Sequence, residues 1–212
     1  VIDADIKGFF DNVDHIWIVK FLEHEIADKN FIRYIKRFLK AGIMEEGKYY
    51  ETDRSLPQGG SISPILANVY LHYVVDMWFA VTVQKRLQGK GYLVRYADDI
   101  VLCFEYENDA KATYEALRKR LERFGLELSE EKSKIIKFGR SAGKEAGTFV
   151  FLGFTFLMGK SRKGNYFVVK ITSQKKLKQK KQNTKKWIRE NMHMPVKELI
   201  ERLNLKLRGH YN

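Results

Sequence analysis

The chain has 212 residues, 44% of them hydrophobic, enough for a substantial core in one large domain or one domain with an appendage. No run approaches the roughly 20 apolar residues of a membrane span, no signal-peptide pattern stands at the start, and a single cysteine, Cys103, excludes an internal disulfide. The net charge of +13 is uneven: residues 1–159 carry 23 Lys+Arg and 23 Asp+Glu, while residues 160–212 carry 16 and 3, so a neutral body precedes a basic segment suited either to a polyanion or to a highly soluble helix face.

Val1–Ile6 reads as a buried strand. Residues 14–26 and 29–40 read as helices, the second with Phe31, Ile32, Tyr34, Ile35, Phe38 and Leu39 on a broad apolar face. Residues 42–52 look like a hairpin turning at Glu46-Gly47. A polar loop leads to Ser63-Pro64, an expected N-cap followed by proline in the first helical position. Ile65, Leu66, Val69, Tyr70, Tyr73, Val74, Met77, Trp78 and Val81 then recur near the helical period. Gly89–Gly91 ends that helix. A hairpin follows, with Tyr92–Arg95 and Ile100–Phe104 flanking Tyr96-Ala97-Asp98-Asp99. A helix runs from Asn108 to Phe124 and stops at Gly125. Residues 133–138, 148–157 and 166–172 read as strands. From Ser173 the pattern is helical, broken near Met194-Pro195. Cys103 falls in an apolar strand and reads as a buried, inert thiol of a reducing compartment.

The order of elements to residue 138 matches a split β-α-β-β-α-β plan with insertions. The fold class is thus α+β: an antiparallel sheet with packed helices over residues 1–172, then a basic helical segment over 173–212. In such a sheet the first strand and the hairpin lie side by side, which brings Asp5 towards Asp98 and Asp99. Neighbouring aspartates share one site only where the backbone turns. The pair reads either as a solvated Asp-Asp turn or as a turn presenting divalent cations to a phosphate. Three converging carboxylates suit nucleotidyl transfer, where two ions about 3.5–4 Å apart activate a hydroxyl and steady the leaving group. Mg²⁺ prefers such oxygen donors.

Ala4-Asp5-Ile6-Lys7-Gly8-Phe9-Phe10-Asp11-Asn12-Val13-Asp14-His15 resembles the first catalytic motif of bacterial group II intron reverse transcriptases. Leu56–Asn68, with Pro57-Gln58-Gly59-Gly60 inside it, resembles the second, and Arg95-Tyr96-Ala97-Asp98-Asp99 the third. Gly125–Lys132 resembles the next motif, and Phe151-Leu152-Gly153-Phe154 the primer grip. The basic helical end, with Leu203–Gly209, is similar to the family's thumb, so residues 1–172 would be a polymerase palm and 173–212 a thumb segment.

The resemblance implies an RNA-directed DNA polymerase that uses two Mg²⁺ ions, with Mn²⁺ as substitute. Asp5, Asp98 and Asp99 would hold the metals, joined by the main-chain carbonyl of Ile6. Lys132 matches a proposed general acid for pyrophosphate release, or is a lysine on a solvated loop. Phe10 would crowd a ribose 2′-hydroxyl, or is a core aromatic beside Phe9. Gln58 and Gly59 would contact the incoming nucleotide. Arg95 would reach a primer or template phosphate, or pair with a carboxylate. Gly153, Lys175, Lys176 and Lys180 would contact primer or template. Asp3 reads as structural, and Asp11 and Asp14 as turn and helix-start residues. The second thumb helix would bury Leu199, Leu203 and Leu207.

Expected partners are an RNA template, a DNA primer, deoxynucleoside triphosphates and group II intron RNA, with no membrane. The expected location is the bacterial cytoplasm, in a ribonucleoprotein at the nucleoid. In this family the fingers precede the first motif, and here only Val1–Ala4 do. The chain therefore reads as a fragment, weakly active or inactive alone and prone to self-association through exposed apolar surface. Two alternatives stay open: a maturase that mainly binds intron RNA to help splicing, and a defence-associated reverse transcriptase.

Overall fold

Ile2 and Ala4 alternate with Asp3 in β1 (Ile2–Ala4), and this period of two sets the layers. The computed structural model describes residues 1–40, 43–45, 48–50, 54–56 and 61–211. It divides into two compact units, Val1–Leu152 with Phe156–Val169, and Gly153–Thr155 with Lys170–Asn212.

In the first unit, β4 (Gly91–Tyr96), β5 (Asp99–Phe104) and β6 (Lys134–Ile135) join β1 in an antiparallel sheet of order β4-β5-β1-β6. Ile2, Ala4, Ile100 and Leu102 are buried on one face against the helices. Those helices are α1 (Phe9–Asn12), α2 (His15–Glu25), α3 (Lys29–Lys40), the long α4 starting at Ser63, and α5 (Glu107–Arg123). On the opposite face Val101, Ile136 and Phe149 form a second, smaller cluster with Phe156. Asp14 caps α2, its carboxylate accepting from Ile16 N–H at 2.8 Å.

Helix α4 runs from Ser63 to Arg86 and is long and apolar enough to span a membrane by length and composition alone. It is instead the central core helix, burying Leu66, Tyr70, Leu71, Val74, Val75, Phe79 and Val83. It widens into π-type turns at His72–Asp76 and Phe79–Val83 and tightens at Gln84–Arg86. Wide turns keep a four-residue repeat on one face, so Ala67, Leu71, Val75, Phe79 and Val83 are all buried. A strict 3.6 period places Met77 and Val81 inside, yet they are 43% and 50% exposed; Ile65, also expected inside, is 63% exposed on the regular first turns.

Other expectations shift locally. The residue capping α4 is Ile62, with Ser63 already helical. Phe31 and Tyr34 are exposed on α3, which packs through buried Ile32, Ile35 and Leu39 with Phe38 beside them. A hairpin of β2 (Ile43–Glu45) and β3 (Lys48–Tyr50) forms, and its expected turn at Glu46-Gly47 lies outside the described residues. The strand expected over 148–157 is two, β7 (Phe149–Phe151) and β8 (Phe154–Lys160), because Leu152 (φ 50°) and Gly153 (φ 80°) turn the chain. With β9 (Tyr166–Thr172) they make a sheet of order β7-β8-β9.

In the second unit, Ser173 caps α6 (Gln174–Asn191) by accepting from Lys176 N–H, and α7 (Val196–Tyr211) follows Pro195. Leu177, Thr184, Ile188 and Leu207 line a groove of about 570 Å³ rimmed by lysines. Leu199 and Leu203 are half-buried, but Leu207 is 42% exposed because two helices leave one side of their apolar seam uncovered.

Candidate active site

The site is a consequence of strand register. Asp3 pairs with Val101 and Ala4 with Ile100, so Asp5 arrives opposite Asp99 at the next step. Asp3, Asp5 and Asp99 therefore share the face away from the helices. Tyr96 pairs with Asp99, leaving Ala97-Asp98 as a two-residue turn with Ala97 in the left-handed region at φ 51°. Asp98 stands on that turn, so the structure gathers Asp5, Asp98 and Asp99 at one sheet end.

Charge repulsion is visible there. Partial burial, then the charges of Asp98 and Asp5, push the Asp99 carboxyl above its ordinary range, against the opposing pull of Lys132. Burial also raises Asp3, with Lys134 opposing and Asp99 and Asp5 adding. Asp3, read from sequence as structural, thus lies on the carboxylate face. Lys132 Nζ donates to Asp5 Oδ2 at 3.2 Å.

The backbone of Asp5 is held from the next segment. Ser133 Oγ accepts from Asp5 N–H at 3.1 Å, and Asp5 C=O accepts from Ser129 N–H at 2.8 Å. Lys7 N–H donates to Glu127 C=O, completing a bridge in which Ile6 and Leu128 are a non-hydrogen-bonded pair. In such a bridge the central residue's own carbonyl turns away from its partner, here towards the β5 side. That is where an Ile6 oxygen would serve a cation.

Phe10 is half-buried in α1, its ring edge-on to Phe9 at 5.3 Å. Its carbonyl accepts from Leu56 N–H at 2.7 Å, tethering the segment that leads towards Gln58. Gln58 and Gly59 lie outside the described residues. Gly153, Lys175, Lys176 and Lys180 belong to the second unit, where Gly153 C=O accepts from Ser173 N–H at 2.9 Å and Lys180 lines the groove between α6 and α7.

Of the two readings of Arg95, the structure takes pairing with a carboxylate and corrects the phosphate contact. Its side chain, 11% exposed, points to the helix face. Nε and Nη2 donate to Asp76 at 2.8 and 2.6 Å, and Nη1 donates to Asn68 Oδ1 and Ala97 C=O, each at 2.9 Å. Four of its five N–H donors are thus engaged within the protein, on the face away from the carboxylates. Asp76, Asn68, Ser129 and Ser133 were not singled out from sequence. Asp76 had one signal: it is the lone acidic residue in the apolar α4 run.

Three carboxylates gathered at one sheet end form a donor set suited to a hard divalent cation. Among the described residues no three acidic, histidine or cysteine side chains close into a cage, and the Lys132 ammonium sits against Asp5.

Comparison with known proteins gives the family and the fold. The family model described as reverse transcriptase (RNA-dependent DNA polymerase) matches residues 1–156. The group II intron-encoded protein LtrA of Lactococcus lactis subsp. cremoris is 45% identical over 71 residues, 34% of this chain and 12% of that protein. Protein YkfC of Escherichia coli K12 is 30% identical over 206 residues, 83% of this chain and 51% of that protein. The chain thus spans about half or less of these relatives. A solved structure of telomerase from Candida albicans superposes with a TM-score of 0.55 at 16% identity, over 73% of this chain and 28% of that one, a likeness of fold. Reverse transcriptases use divalent metals, as the carboxylate face leads one to expect. The sheet register, the acidic turn and the span of the family match make this chain a member of the reverse transcriptase (RNA-dependent DNA polymerase) family.

Proposed function

We propose that the chain is the catalytic palm, with part of the thumb, of a group II intron-encoded RNA-directed DNA polymerase. The observation that carries this is the register that puts Asp5 opposite Asp99 beside the Asp98 turn. Bound Mg²⁺, two ions in the expected mode, would supply Lewis-acid stabilisation of the reacting phosphate and activation of the primer hydroxyl. The chain's own residues prepare that. Asp5, Asp98 and Asp99 would hold the ions with the Ile6 carbonyl, and the Asp99 carboxyl, raised by burial first and then by the charges of Asp98 and Asp5, would be relieved by a cation. Phe10, with its backbone fixed by Leu56, would limit the room beside a ribose 2′ position. Lys132 would move from Asp5 to donate a proton to the leaving pyrophosphate. The basic α6 would hold an RNA template and DNA primer by phosphate contacts that weaken with salt.

Primer extension on an RNA template with Mg²⁺ tests this. The parent protein extends the primer and Asp98→Asn abolishes extension; equal extension by the variant refutes the reading. A maturase role is a second reading, favoured by the basic helical segment and the likeness to a group II intron-encoded protein. If intron binding is the main role, splicing support survives Asp98→Asn while DNA synthesis is lost.

A further inference from the structure

We propose that Arg95 is a positioning residue for the acidic turn, locked by Asp76 and Asn68 on α4. The proposal rests on the polymerase reading of that turn and extends it to groups that touch no substrate.

Ala97 occupies a left-handed backbone conformation that glycine takes freely and alanine resists. Such a conformation persists only where its surroundings over-determine it. The surroundings here are one guanidinium. Arg95 Nη1 donates to the carbonyl of Ala97, the residue immediately before Asp98. The same nitrogen donates to Asn68 Oδ1, and Asn68 Nδ2 donates back to Pro64 C=O at 3.0 Å, which fixes that amide. The other edge of the guanidinium is gripped by both oxygens of Asp76. Asp76 closes the wide turn of α4, and a wide turn resets which face the next side chains occupy. That turn is itself capped from α5, where Arg120 donates to the carbonyls of Tyr73 and Val74 at 3.1 and 3.0 Å. A rigid path therefore runs from α5 through α4 to the turn. A lysine would keep the charge of Arg95 but not the fork that joins four acceptor oxygens on three residues.

The test uses the 212-residue chain, with Mn²⁺ as the probe and hydrogen exchange followed by NMR. In Arg95→Lys, exchange at the Asp99 and Ile100 amides is expected to rise about tenfold relative to Val94 and Leu102 in the same hairpin. Mn²⁺ affinity is expected to fall about tenfold. Ala97→Gly, which removes the backbone strain, is expected to restore part of that affinity in the Arg95→Lys background. Asp76→Asn should mimic Arg95→Lys in direction. Uniform acceleration across the whole hairpin would mean a role in stability only and would overturn the proposal. Unchanged exchange at Asp99 and Ile100 would overturn it as well. If the unsubstituted chain binds no Mn²⁺, the metal reading of the site fails, and exchange still decides whether Arg95 holds the turn.

Discussion

Lys132→Met is expected to tighten divalent-cation binding while slowing synthesis, two effects of opposite sign from one substitution. The Lys132 ammonium lies 3.2 Å from Asp5 Oδ2, with side chains 70% and 32% exposed. An incoming cation must either displace the lysine or tolerate it. Displacement forfeits an exposed ion pair, a loss of about 0.2–1 kcal/mol. Tolerance sets +1 against +2 at about 5 Å, near 1.7 kcal/mol in water before screening and roughly half that at physiological ionic strength. The cheaper route costs about 1 kcal/mol or less. Removing the ammonium should thus tighten Mn²⁺ binding roughly 1.5- to 5-fold, at 1.4 kcal/mol per factor of ten. Titration calorimetry or electron paramagnetic resonance on the chain measures this, with Lys132→Arg staying near the unsubstituted value. In the parent protein the same Lys132→Met should lower the rate, since a lost general acid costs about 100-fold or more. Unchanged or weaker Mn²⁺ binding by Lys132→Met would refute the competition argued from the 3.2 Å contact.

Three further outcomes follow from groups around the site. Asp109, 6% exposed, accepts from Gln88 and Gly89 N–H at 3.0–3.2 Å and fixes the entry to β4; Asp109→Ala should cost about 2–4 kcal/mol, lowering Tm by roughly 5–15 °C in calorimetry, and a fall under about 2 °C would contradict this. Asp3 titrates higher in the fold than its ordinary 3.8, so between those two values the native state binds more protons and stability falls as pH rises. Asp3→Asn should therefore raise Tm at pH 7, with the gain vanishing below about pH 3.8; an equal gain at both ends removes the electrostatic explanation. At Gly153, φ 80°, an added Cβ finds only the flexible Lys176 side chain at 3.6 Å, so Gly153→Ala should cost about 1–2 kcal/mol as backbone strain alone. Gly153→Asn should cost less, because Asn tolerates that conformation, and thermal melts of the pair check the order.

Much of the fold was legible because periodicity and punctuation are local. Short β-type runs gave β1 and, around an acidic turn, the β4–β5 hairpin; Asp14 and Ser173 gave two helix starts, and Gly125 at φ 72° gave a helix end. The misplacements have one physical root: a residue's environment depends on turns the pattern cannot count. Along α4 the wide turns re-phase the buried face, so Met77 and Val81 come out exposed. Between β7 and β8, Leu152 adopts a positive φ that its residue type does not announce, and one expected strand becomes two.

The site divides along a similar line. Groups that would carry charge to a substrate are spelled in adjacent residues, and Asp5, Asp98 and Asp99 were found from them. Groups that hold those residues are scattered: Asn68 and Asp76 on α4, Ser129 and Ser133 after α5. Nothing in their sequence spacing predicts that they meet. Arg95 shows how this misleads, since a basic residue beside an acidic motif suggests a phosphate. Strand alternation already argued otherwise: Arg95 pairs with Ile100, whose side chain is buried on the helix face, so Arg95 must face the helices as well. The same alternation placed Asp3 with Asp5 and Asp99. The period of two, carried across a register of three residue pairs, thus assigns both the carboxylate face and the clamp behind it.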